Sequence, residues 1–325
     1  MLSKALFVKE WKPIKLFALG LLLIYMFGYP VLITSQLDSW KQMEMHYQTS
    51  PTQLDVSMAL QGGFASVIST FLIILMAAMF IGAERNTRRN DFSFALPYKR
   101  NVMFMSKWLL GVAVIVIPFS ISYLIAYFMV ATSEYGVLVE SVSVRELYLI
   151  PLLGYLATFS FAMLIGTIAG ELVSQVILTF IFIFFPLGFL FLVHGFTNVV
   201  FDFYFNQTLY FEYFVWPLYS IEPLYSGPIW VPLMATIVFT MLGQWLYEKN
   251  QIEYNGEFLV FKELEPLFKI GMVLCFSLLG GLMVSGFVSY MYSTLAIIFY
   301  WIGFFLFGIL SWFMTTGLMK MKVIK

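Results

Sequence analysis

The sequence predicts an all-α integral membrane protein, a polytopic bundle of eight transmembrane helices with both termini in the cytosol. Three observations carry this reading. Hydrophobic residues make up 61% of the chain and charged residues 11%, with a mean hydropathy of +0.88, whereas soluble domains carry about 25% charged residues. Eight apolar runs each approach the roughly 20 residues that a helix needs to cross a hydrocarbon core. The charges also sort by side. With the N-terminus inside, the inner segments hold 16 of the 18 Lys and Arg, and the outer loops hold only Lys41 and Arg145. The 18 acids split nine and nine, so the inner face is seven charges positive and the outer face seven negative. That is the bias that keeps short cationic loops in the cytosol, and a wrong span count would scramble it.

The elements follow in order. Residues 1–15 alternate Leu2, Leu6 and Phe7 with Lys4, Lys9 and Lys12, which predicts a short interfacial helix ending near Pro13. The apolar run after it lacks a small-residue cleavage site and reads as a retained span rather than a leader. Spans are expected over 16–34, 63–83, 108–131 (with Pro118 inside), 148–169, 173–194 (with Pro186 inside), 229–246, 270–290 and 295–318. The single cysteine, Cys275, lies in an apolar run and can form no internal disulfide.

Two connections are too shaped to be mere linkers. The cytosolic loop 84–107 carries Arg85, Arg88, Arg89, Lys99, Arg100 and Lys107 against Glu84 and Asp91. Phe92, Phe94, Ala95 and Leu96 form an apolar knot within those charges, and Pro97 stops any helix there. Such a segment suits either docking to a cytosolic partner or contact with anionic lipid. The stretch 195–227 holds twelve aromatic residues but only Asp202, Glu212 and Glu222 as charges. It reads as short re-entrant or interfacial helices on the outer face, or as an ordinary aromatic belt. In the seventh span Ser277, Gly281, Ser285 and Ser289 lie four apart on one helix face. Small residues at that spacing let two backbones approach closely.

The remaining evidence is negative. Every Asp, Glu, Lys and Arg is expected in a loop or at a helix end, whereas ion-coupled carriers keep ionisable groups at mid-membrane. The sequence has no HExxH pair, no nucleophile elbow and no GxxxxGK[ST]. No catalytic residue, metal site, cofactor or nucleic-acid partner is therefore expected. Active transport by this chain requires energy from a partner at the cytosolic face.

The pieces resemble the permease subunits of ABC-2 type transporters. The resemblance rests on the KEWK run at Lys9 to Lys12, on Glu84-Arg85 closing the second span, on Leu96-Pro97 with Arg100, and on Lys107 opening the third span. Asn86 to Phe94 lacks the family's usual small residues, and Ser106 stands where a glycine is common. EYNGEFLVFKELEPLFKIG at 253–271 further resembles the Ytr-type permeases of bacilli. The resemblance implies a six-helix core over 1–247, followed by a cytosolic linker and two additional helices over 248–325. It implies a coupling element in 84–107 that docks on separate cytosolic P-loop ATPase subunits, with Arg85, Arg88, Phe92, Phe94, Leu96, Pro97 and Arg100 at the contact. It also implies pairing with a second permease, and acetoin as a cargo. A secondary carrier or channel, an intramembrane enzyme and a non-transporting sensor or assembly subunit remain as alternatives.

Overall fold

A computed structural model describes residues 4–87, 97–140, 143–203, 211–222, 227–250, 252–254, 256–288 and 293–320. Among the described residues every regular element is a helix, and eight helices are long and apolar enough to cross a membrane. The expected span count stands, but several boundaries move.

The largest change is at the N-terminus. No separate interfacial helix ends at Pro13. One helix runs Lys4–Met26, with Pro13 inside it. It passes through a π-turn at Phe27–Val31 and continues as Leu32–Tyr47. Pro13 does cost a backbone hydrogen bond. Burial on one face overrides that cost, because Leu6, Glu10, Ile14, Leu21 and Tyr25 all pack inward. The π-turn contains Pro30, which cannot donate, and π-turns accommodate such interruptions within a helix. At about 1.5 Å per residue the Leu6–Tyr47 helix is roughly 60 Å long, so its far end projects beyond the hydrocarbon on the outer side. There Trp40 meets Tyr135 edge-on at 5.5 Å, and the Tyr135 hydroxyl donates to Glu44 at 3.0 Å. A helix over Gln53–Leu60 follows, started by a reciprocal cap in which Thr52 and Asp55 bond each other's backbone N–H.

The second span, Phe64–Phe80, crosses the first so closely at Gly28 that any side chain there would collide with Ala65. A break at Ile81 precedes a short helix, Gly82–Asn86. The third span, Arg100–Ala131, starts two turns earlier than expected, which puts Lys107 inside a helix. The fourth, Ile150–Ile168, is the hub, with nearly every residue from Ile150 to Thr167 buried. The fifth, Leu172–Phe201, runs on through Gly195 and Phe196, which were expected in the outer aromatic segment. The run to Phe201 contains no further proline after Pro186, its glycines Gly188 and Gly195 are carried within the helix, and the helix stops only where Asp202 turns left-handed at φ 52°. Of the remaining aromatic segment, 211–222 forms two short turns that bury Val215, Trp216 and Tyr219 against the fourth and sixth spans. The sixth span is Trp230–Glu248. The seventh and eighth, Glu265–Ser285 and Ser293–Lys320, form a hairpin that leans mainly on the fifth span.

The contacts respect the sidedness read from charge. Segments assigned to the inner face touch one another, as Glu10 does Lys107 and Gly170 does Phe258. Segments assigned to the outer face do likewise, as Glu44 does Tyr135.

Candidate functional site

Charge gathers at the cytosolic end of the bundle, where the ends of loop 84–107 are held. Lys107, fully buried on the third span, bonds Glu10 of the first span at 2.5 Å and Glu84 at the end of the second at 3.0 Å. Lys9 reaches the same two carboxylates at 3.3–3.4 Å. Glu10 is 1% exposed and Lys107 0%. Buried charges persist only when paired and hydrogen-bonded, and here two carboxylates share two ammonium groups. Burial works to raise the Glu84 carboxyl, and the charges of Lys107 and Lys9 overcome it and hold its pKa below the ordinary value. The expectation that every charge sits in a loop or at a helix end is corrected here. Glu10 lies in the second turn of a 23-residue helix and Lys107 in the third turn of a 32-residue one.

Arg85 points the other way from the same short helix. It is buried, and its Nη2 donates to the carbonyl of Thr167 at the end of the fourth span, 3.2 Å away. Asn250, just past the sixth span, donates to that carbonyl at 3.1 Å. Nε and Nη1 of Arg85 meet no acceptor among the described residues. Burial lowers the guanidinium pKa to about 10, against the pull of Tyr247 and Glu84, so it stays charged at neutral pH. Arg100, at the far end of the loop, donates to the carbonyls of Asn250 at 2.7 Å and Glu248 at 3.0 Å. Pro97 lies three residues before it, in a bend. Asn86 accepts from the backbone N–H of Leu172, which opens the fifth span. Both ends of the loop are thus fastened to the first six spans by polar contacts.

Gln175 completes the junction. It is wedged where Gly82 and Gly166 leave no room for a side chain of their own, and it donates to the carbonyl of Ala162 at 3.0 Å. The linker after the sixth span closes over this end. Val260 N–H bonds Ile168 at 2.8 Å, and Gly256 N–H bonds Gly170 at 3.0 Å.

Of the coupling residues expected from the sequence, the structure brings Arg85 and Arg100 to one junction and places Pro97 beside it. Arg88, Phe92, Phe94 and Leu96 lie outside the described residues. The junction adds Lys9, Glu10, Glu84, Lys107, Thr167, Gln175 and Asn250. Glu10 and Lys107 had a signal in the sequence, namely charge set against an apolar four-residue stripe. In the seventh span Ser277, Gly281 and Ser285 are buried, and a side chain on Gly281 would come within 2.6 Å of the Tyr300 ring on the eighth. Ser289 lies outside the described residues. No group of His, Cys, Asp and Glu able to hold a metal occurs among the described residues.

Fold and site define a class: a multi-pass α-helical protein of the bacterial cell membrane whose buried charges, Glu10, Glu84, Arg85 and Lys107, gather at its cytosolic end. Two curated relatives sharpen it. The chain is 25% identical over 283 residues to the probable ABC transporter permease YtrD of Bacillus subtilis (strain 168), covering 81% of this chain and 83% of that one. It is 26% identical over 226 residues to the probable ABC transporter permease YtrC of the same organism, covering 64% and 66%. The resemblance to Ytr-type permeases therefore holds across most of the chain. No protein-family model and no solved structure matches it.

Proposed function

We propose that the chain is the membrane permease subunit of an ABC transporter, in which it forms the translocation path while separate cytosolic ATPase subunits hydrolyse ATP. One observation carries the reading beyond the similarity to YtrD and YtrC: both ends of loop 84–107 are fixed in polar contacts, buried at Glu10, Lys107 and Arg85, that together reach every span of the first six. A push on that loop is transmitted to the helix ends rather than absorbed by a slack connection. In this reading the apolar knot Phe92, Phe94 and Leu96 seats in a groove on the ATPase. Arg85 and Arg100 hold the flanks, Pro97 keeps the knot compact, and Arg88 orients the approach. The core spans 1–247 carry the path, 248–325 adds the linker and hairpin, and a second permease completes the path. A small neutral cargo such as acetoin fits an aromatic and aliphatic interior that offers few charges.

The test is co-purification with candidate ATPases, followed by substrate-stimulated ATP hydrolysis in liposomes. Aromatic anchors contribute roughly 2 kcal/mol or more each at interfaces. Phe92→Ala with Phe94→Ala should therefore cost about 4 kcal/mol, close to a thousandfold in ATPase affinity. Replacing Arg88 and Arg89 with Ala should cost less, and that loss should fade in high salt. Recovery of wild-type amounts of ATPase by the double Phe variant, at matched membrane expression, overturns the anchor assignment.

A further inference from the structure

The geometry points to a binding site for an anionic phospholipid of the inner leaflet on the C-terminal hairpin. A groove of about 350 Å³ runs between the seventh and eighth spans, lined by Val273, Ser277, Phe304, Gly308, Ile309 and Trp312. Its walls are two helix faces, with 273 and 277 on one and 304, 308 and 312 on the other, each stepping by four. Its floor is tight, because a side chain on Gly308 would come within 2.6 Å of Ser277 Oγ. The lining is apolar apart from that serine, which bonds its own helix at Val273.

The groove is polar at one end only. Lys269, one turn before Val273, places its ammonium 3.5 Å from the centre of the Trp312 ring. It lies in the first two turns of the seventh span, at the cytosolic edge, the level of headgroups. An ammonium resting on a ring keeps its outward donors for an anion. Glu265 precedes it by one turn and Glu263 lies in the turn before, yet neither pairs with Lys269 among the described residues. An apolar slot that begins under a cation at the inner headgroup level matches a phospholipid: chain in the slot, phosphate on Lys269. Anionic lipids populate that leaflet and are drawn to basic groups near its surface. A second copy of the hairpin fits worse, since a symmetric contact sets Lys269 near its own like charge.

The test uses the full chain in a neutral detergent, with phosphatidylglycerol or phosphatidylcholine added at equal concentration. Native mass spectrometry counts bound lipid, and thermal melting reads the stabilisation. Wild type should retain phosphatidylglycerol at least tenfold better than phosphatidylcholine. Lys269→Gln should abolish that preference while folding normally, because the residue is partly exposed. Ile309→Trp, at a position 60% exposed, should fill the slot and lower retention of both lipids. An unchanged preference in Lys269→Gln overturns the site. So does efficient disulfide formation between two copies of Ile309→Cys in a Cys275→Ser background, which would assign the groove to a second chain.

Discussion

The cytosolic junction and the C-terminal hairpin hold helices together by opposite means. At the junction, buried charge joins the helices: Lys107 bonds Glu10 and Glu84, and Arg85 bonds the Thr167 carbonyl. In the hairpin, the backbones nearly touch: Gly280 faces Phe307, Gly281 faces Tyr300, and Gly303 lies against the Gly280 carbonyl. Lipid supplies no hydrophobic force between apolar helices, so association must come from polar bonds or from close fit. The two regions show each solution within one chain. The difference bears on function. Polar clusters have more than one way to pair and can be re-paired when a partner pushes, whereas a glycine-packed face fits only one way. The moving parts of the proposed transporter belong at the junction, and the hairpin is a rigid flank.

The largest expected effect tests the junction. Lys107→Ala leaves Glu10 and Glu84 buried with only the partly exposed Lys9 between them. Breaking a buried pair from one side costs about 3–5 kcal/mol. Little of this variant should elute as a folded species in mild detergent. Its melting temperature should fall further than that of any single substitution in the hairpin. A mild effect would mean that water reaches the cluster and screens it.

Gly281→Leu should have a smaller and more local effect. Leucine must displace the Tyr300 ring, and overpacking costs typically about 1–3 kcal/mol. The seventh and eighth spans should separate while the first six stay folded. Limited proteolysis should therefore cut the linker near 248–264 sooner, with the core fragment unchanged. If Gly281→Leu melts lower than Lys107→Ala, the ranking of the two regions is reversed.

The parts of this contrast visible in the sequence are those that depend on local pattern. Eight apolar runs gave eight spans because hydropathy over some 20 residues is a local quantity. The stripe of Ser277, Gly281 and Ser285 was visible for the same reason. Pro13 misled because its cost is local, while the burial of Leu6, Glu10 and Ile14 that outweighs it depends on other spans. The pairing of Glu10 with Lys107 spans 97 positions, and no pattern within either run names the partner. Arg85 could be seen in the sequence as a loop cation; its bond to the Thr167 carbonyl could not, since any helix end offers free carbonyls.

The smallest effect isolates one charge of the junction by pH. The folded-state pKa of Glu84 lies below its ordinary value of 4.5, because Lys107 and Lys9 outweigh the burial that works against ionisation. Between the two values the unfolded chain binds a proton that the folded chain does not. The carboxylate's contribution is therefore fully present above about 4.5 and is lost as pH falls through the lower folded value. Melting temperature should stay flat from neutral pH down to about 5 and then drop. Glu84→Gln cannot titrate there, so its curve should begin lower at neutral pH and fall less steeply below 4.5. Its partners keep Glu10, so the neutral-pH loss should be smaller than for Lys107→Ala. The hairpin supplies the control: Gly281→Leu should shift the whole curve down without changing its acid slope. If Glu84→Gln keeps the wild-type slope, the acid sensitivity lies elsewhere, and Glu84 is held by packing rather than by its charge.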